Sequence, residues 1–333
     1  MAKTTWTFSA AFVVSDEQIY IACAADIYEE FARYTSLYRW CPELADQDPD
    51  SEWRYKSVDW CAASVSALVP AEGDAWWLCA ISEDGEVLLT GGGYSSEKIP
   101  GAGVHSDDSK GWGYVADVRQ IGEHLYVCGY CGQVYKRFAA NDWRHMDDGL
   151  LQAPDTPMEE SIALSVINGP HESAIYAAGY RHDNWLPPCA FYFNGTAWRE
   201  LELPAVAERI INLYVESEAR IWMCGSNGTL LLGNADEGFK SLSTVEDNQL
   251  FTSVCKYRDL IFLASNVGLY FYDPSQHEQG INRVKTNLTP ELQDANIVDS
   301  AGEVLWSIGP KDIARFDGKT WTRIDHPDNP PIR

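Results

Sequence analysis

One short apolar strand pattern recurs seven times along the chain, and this most constrains its fold. It appears as Ile19-Tyr20-Ile21-Ala22-Cys23, Leu125-Tyr126-Val127-Cys128-Gly129 and Ile221-Trp222-Met223-Cys224-Gly225, among others. One aromatic marks each copy: Tyr20, Trp77, Tyr126, Tyr176, Trp222, Phe262 and Trp306. The spacings between them are 57, 49, 50, 46, 40 and 44 residues. A period of roughly 40–50 residues built of short strands is that of propeller blades.

The units share an internal order. A leading strand, such as Val115-Ala116-Asp117-Val118, precedes a tight turn, as at Gly122-Glu123. The marker strand follows and ends in small residues, as expected where sheets converge on a narrow axis. A third strand comes next, as in Val134-Tyr135-Lys136-Arg137 or Ile313-Ala314-Arg315-Phe316. Asn194-Gly195 and Asp317-Gly318 are hairpin signals. The fourth strand often opens with Trp, at Trp53, Trp143, Trp198 and Trp321. The expected fold is therefore all-β: a seven-bladed β-propeller of four-stranded antiparallel blades. It forms one domain over residues 1–333, with blades near 9–60, 61–103, 112–150, 160–205, 208–246, 249–288 and 292–326. Closure has two routes. Thr5 to Ser9 pairs with the terminal sheet, or the strand from Trp321 stays its outer edge. No stretch carries a sustained helical period.

Segments such as Ile313-Ala314-Arg315-Phe316-Asp317-Gly318-Lys319-Thr320-Trp321 resemble the blades of bacterial sensory and regulatory propellers. The general form is similar to WD40-type and kelch-type repeats. The Gly-His and Trp-Asp dipeptides of WD40 proteins and the kelch double glycine are missing in register. The resemblance implies an architecture and no particular activity.

Acidic residues number 49 and basic residues 25, a formal charge of -24. That field repels phosphate backbones and anionic bilayers, so neither nucleic acid nor a membrane is the expected partner. It steers a basic protein inward and helps keep a soluble monomer apart from its copies. The start of the chain has no unbroken apolar run of signal-peptide kind, and no stretch is long enough to cross a bilayer. A cytoplasmic location is expected. Cys23, Cys79, Cys128 and Cys224 recur at one strand position, which is the behaviour of buried packing residues and not of a disulfide framework.

Few constellations suggest chemistry. Cys128-Gly129-Tyr130-Cys131 has the spacing of half a zinc site but no second pair, so no metal and no cofactor is expected. Asp26, Glu29 and Glu30, and separately Asp107 and Asp108, are carboxylate pairs of the kind used in glycoside hydrolysis. In so acidic a chain such pairs also arise without function. No His pair has metalloprotease spacing. No nucleophile elbow, phosphate loop or dinucleotide fingerprint is present. Gly91-Gly92-Gly93 reads as a turn.

Three functional classes follow. The first is a non-catalytic protein-binding propeller that neutralises or scaffolds a basic partner, as bacterial immunity proteins do with secreted toxins. The second is a propeller enzyme acting on a carbohydrate, a glycoside hydrolase or lyase, with site groups scattered over several blades. The third is a small-ligand sensor. Binding residues concentrate on loops held by a rigid scaffold. In a propeller the links from fourth to first strand and from second to third strand share one face. On those links the candidate binding residues are Asp26, Glu29, Glu30, Tyr34, Trp60, Asp107, Trp112, Tyr130, His182, Asp183 and Trp185. The aromatics supply contact area and the carboxylates orient a basic partner. No catalytic residue is assigned.

Overall fold

A computed structural model describes residues 4–26, 34–46, 52–70, 76–182, 187–243 and 248–333. The chain is a seven-bladed β-propeller of four-stranded antiparallel sheets, each joined in simple sequence order. The sheets span residues 6–58, 62–98, 115–145, 162–200, 210–241, 251–283 and 297–323, here blades 1 to 7. The seven marker segments form the second strands, and the Trp-led segments form fourth strands. The residues fall into two compact units, Met1–Ala62 with Phe251–Arg333, and Ala63–Leu250.

The leading strand of blade 2, Ala62–Leu68, has no counterpart among the strands read from sequence. It reads AASVSAL, and small and polar side chains carry too weak an apolar alternation to mark a strand. Blade 1 begins at Trp6, because β1 (Trp6–Ser15) is its leading strand and pairs with β2 (Gln18–Ala25). The last strand, Trp321–Arg323, stays at the edge of blade 7, the second of the two closure routes. Blades 7 and 1 are stitched by a backbone bond, the Phe8 N–H donating to the Pro310 carbonyl at 2.9 Å.

The continuous apolar character of the marker strands has a simple cause. In His124–Gly129, Leu125 and Val127 pack in the core shared with blade 2. Tyr126 and Cys128 pack in the core shared with blade 4. Successive side chains on a strand point to opposite faces. A strand buried on both faces therefore shows no polar alternation. The nine cysteines are free thiols. Cys23, Cys79, Cys128 and Cys224 are buried, and burial raises each of these thiols.

At two of the marker strands the closing glycine also answers a second need. The pairing of first and second strands slips by one residue between Cys128 and Gly129, and between Ile210 and Asn212. At these bulges the first strand's backbone crowds the second. A Cβ on Gly225 would sit 1.9 Å from the Arg209 carbonyl oxygen, and one on Gly129 would sit 2.4 Å from that of Tyr114. Only glycine allows that approach.

Candidate functional site

The linking loops of blades 2 to 5 bring several candidate residues together. Residues 99–114 join blade 2 to blade 3 and contain no strand, yet they are firmly held. Asp84, in the turn before Glu86–Thr90, organises them. Its carboxylate accepts the N–H groups of Val104 at 2.7 Å and His105 at 2.9 Å, and faces His105 Nδ1 at 3.2 Å. Its backbone carbonyl accepts Lys98 Nζ at 2.6 Å and Ser106 Oγ at 3.0 Å. Burial pulls the Asp84 carboxyl upward, and the bonds from His105 and Val104 outweigh it, so it ends below its usual range. Gly103 bridges to Gly113. Gly103 has φ +84°, and a Cβ there would lie 2.5 Å from the Asp84 Cα. The position is closed to other residues on both counts.

This loop presents Trp112 and Tyr114. Trp112 meets His145 edge-on at 5.1 Å, and His145 lies 4.4 Å from the Tyr135 ring. Tyr114 stacks on His105 at 6.0 Å and meets Tyr130 edge-on at 6.1 Å. Tyr130 sits in the turn after the blade 3 marker strand. Its N–H donates to the Tyr114 carbonyl at 2.9 Å, and its own carbonyl accepts Gln133 Nε2 at 3.0 Å. The neighbouring Cys131 N–H donates to Ile162 of blade 4 at 2.8 Å.

His182 continues the row. Its N–H donates to the Ser161 carbonyl at 3.0 Å. Its ring meets Tyr130 edge-on at 5.4 Å and Tyr180 at 5.3 Å. Tyr180 and Tyr130 share a side-chain hydrogen bond; with burial as the larger cause, this raises the Tyr180 phenol well above its usual value. The Arg209 guanidinium lies 4.3 Å from the Tyr180 ring centroid, a cation–π contact. Burial first, and the Arg209 charge second, lower His182, so its imidazole favours the neutral form. The result is a row from His105 through Tyr114, Tyr130, His182 and Tyr180 to Arg209. His105 is exposed, Tyr114 and Tyr130 are half-buried, and Tyr180 and His182 are buried. Rings braced on one another lose little entropy when a partner covers them.

The other candidates divide as follows. Asp107 is exposed on the 99–114 loop. Asp26 accepts Thr5 Oγ1 at 2.5 Å and Thr7 Oγ1 at 2.7 Å, and pairs with Lys311. Burial raises it, but Lys311 and the two threonines bring it below its usual range. Tyr34 packs edge-on against Trp6 at 5.7 Å, and Trp60 is half-buried. Glu29, Glu30, Asp183 and Trp185 lie outside the described residues. Tyr114, Tyr180 and Arg209 were not singled out by sequence reasoning. A signal existed for two of them: Tyr114 and Arg209 each stand immediately before a leading strand, Val115–Ile121 and Ile210–Ser217. Among the described residues no group of three or more His, Cys, Asp or Glu could hold a metal ion. No described helix is long and apolar enough to cross a membrane.

No protein-family profile matches the chain. It is 27% identical over 297 residues to the immune protein Tsi7 of Pseudomonas aeruginosa, an alignment covering 86% of this chain and 84% of that protein. The fold is similar to that of YCF48 bound to D1 peptide, with a TM-score of 0.59, 15% identity, and 98% and 93% of the two chains covered. It is also similar to virginiamycin B lyase from Staphylococcus aureus, with a TM-score of 0.55, 11% identity, and 79% and 84% covered. At these identities the two solved structures share the architecture alone.

Proposed function

We propose that the chain is a non-catalytic, protein-binding propeller of immunity type, which silences a protein toxin by occupying its surface. The observation that carries this reading is the likeness to the immune protein Tsi7 over most of both chains. The half-buried members of the row, Tyr114, Tyr130 and Arg209, are the expected principal contact, braced from behind by His182 and Tyr180, because tyrosine and arginine in such settings are typical energetic anchors of interfaces. Trp112 and Asp107 extend it along the same loop. Asp183 and Trp185, and on the first blade Glu29, Glu30, Tyr34 and Trp60, are further contacts. With a formal charge of -24, a partner bearing basic groups is favoured over nucleic acid or an anionic membrane. The working form is a monomer in the cytoplasm.

The test is affinity purification of the tagged chain from its native cell, followed by expression of each co-purifying protein alone and with this chain. A basic co-purifying protein that arrests growth alone, and is harmless with this chain, supports the reading. If no co-purifying protein is toxic, or toxicity persists in a stable complex, the immunity role fails.

A further inference from the structure

A second recessed surface lies between the outer strands of blades 6 and 7, on elements of the other compact unit. It is a crevice of about 520 Å³, within the range of small-molecule sites. Its origin is local. The outermost strands of these two sheets, Ile281–Arg283 and Trp321–Arg323, are three residues long. Between the sheets Phe271, Phe316 and Trp321 stay half-buried, with Phe262 buried behind them. Phe262 and Phe271 line one wall, their centroids 6.4 Å apart. Phe316 and Trp321, stacked at 5.1 Å, line the other.

The charges at this crevice run against those of the chain. Its two charged lining residues are Lys285 and Lys319, both exposed. Among the described residues neither ammonium is in an ion pair. The two carboxylates at its rim are held by backbone N–H groups and not by an ammonium. Asp317 accepts the N–H groups of Lys319 and Thr320, both at 2.8 Å. Glu291 accepts those of Thr286 at 3.0 Å and Asn287 at 3.2 Å. An apolar recess rimmed by two exposed ammonium groups that form no ion pair among the described residues, on a protein of charge -24, favours one kind of ligand.

We propose that this crevice is a binding site for a small amphipathic anion: a planar aromatic or ring-bearing body with one carboxylate or sulfonate. The body lies between the Phe262–Phe271 wall and the Phe316–Trp321 wall, and the acid group sits between Lys285 and Lys319. The site is independent of toxin binding. It is tested by fluorescence titration of the intact protein with anilinonaphthalene sulfonate, alongside its uncharged relative N-phenylnaphthylamine. The expected result is saturable binding of one sulfonate per chain. The double variant K285E/K319E should weaken it about tenfold or more, by reversing two exposed charges beside the ligand, with an unchanged far-ultraviolet circular dichroism spectrum. Trp321→Phe should weaken both probes. Non-saturable binding, equal affinity for the uncharged probe, or unchanged affinity in the double variant overturns the proposal.

Discussion

The side-chain amide of Asn329 pairs with both backbone groups of Trp6. Its Oδ1 accepts the Trp6 N–H at 2.7 Å, and its Nδ2 donates to the Trp6 carbonyl at 2.9 Å. The two residues are 323 apart in sequence. The segment after the last strand thus returns to the leading strand of blade 1. Next to this pair, Tyr38 donates its hydroxyl to Asp328 at 2.7 Å, and the His326 ring sits 4.4 Å from that of Tyr38. If Asn329 is shortened, the Trp6 N–H loses this buried partner, while the Trp6 carbonyl keeps Lys311 Nζ at 3.0 Å. Asn329→Ala should therefore lower stability by about 1–3 kcal/mol, the range for buried polar groups left unsatisfied. Urea denaturation checks this, and a midpoint unmoved by the substitution would show that water serves Trp6 equally well.

Glu97 is a fully enclosed charge between blades 2 and 3, with a side chain 0% exposed. It accepts both Arg137 Nε at 2.9 Å and Arg137 Nη2 at 2.8 Å, together with Trp143 Nε1 at 2.9 Å and Ser95 Oγ at 2.9 Å. Burial raises its pKa, but these donors, Arg137 foremost, hold it below the usual carboxylate range. Glu97→Ala leaves the Arg137 charge without its partner. The expected cost is about 3–5 kcal/mol. The replacement of both Glu97 and Arg137 by apolar residues should cost less than Glu97→Ala alone. A double variant weaker than the single one would refute that account.

Glu172 links blades 3 and 4 through Lys136, His124 and the Tyr126 hydroxyl. Burial raises its carboxyl, and the bonds from Lys136 and His124 overcome this and lower it to about 2. A carboxyl lowered on folding contributes stability above its unfolded pKa and loses it as pH falls through the folded one. The stabilising contribution is therefore complete above about pH 5 and fades toward pH 2. The side chain is 30% exposed, so solvent screening reduces it to about 1–2 kcal/mol. Thermal midpoints at successive pH values should show a shallower acid limb for Glu172→Gln than for the parent. Parallel acid limbs would assign the effect to other carboxylates.

The interface proposal separates positions that touch the partner from one that only shapes the loop. Tyr130→Ala should weaken the toxin complex by about 2 kcal/mol or more, as for a central anchor, with the fold intact. Gly103→Ala should act indirectly. Its Cβ would collide with the Asp84 backbone and displace the segment carrying Trp112 and Tyr114. Faster proteolysis within 99–114, together with weaker binding, is the expected signature. Full affinity in both variants, measured calorimetrically, would move the contact surface away from this loop cluster.

The repeat was legible because its cause is local. Each marker strand is buried on both faces, so Ile221-Trp222-Met223-Cys224-Gly225 and its counterparts are largely apolar and end in small residues, with glycine required where a bulge leaves no room for a side chain, as at Gly129 and Gly225. The same regularity marked the hairpin turns and the Trp-led outer strands. Ala62–Leu68 carries no such mark, because its buried positions are filled mostly by Ala and Ser, which show little apolar alternation. The site was legible only in part. Tyr130, His182 and Trp112 stand out as unusual residues in links. The joining of Tyr130 and His182 into one row with Tyr114, Tyr180 and Arg209, and the packing of Trp112 on His145 beside it, depend on three blades placing their ends side by side, and spacing along the chain does not encode that. The sequence by itself determined the number and order of the blades, since strand patterning is a property of consecutive residues. Only the tertiary structure decided which carboxylates are spent on structure, such as Asp26 on Lys311 and Asp84 on its loop, and which rings brace one another. Those relationships are set by distances between segments tens to hundreds of residues apart.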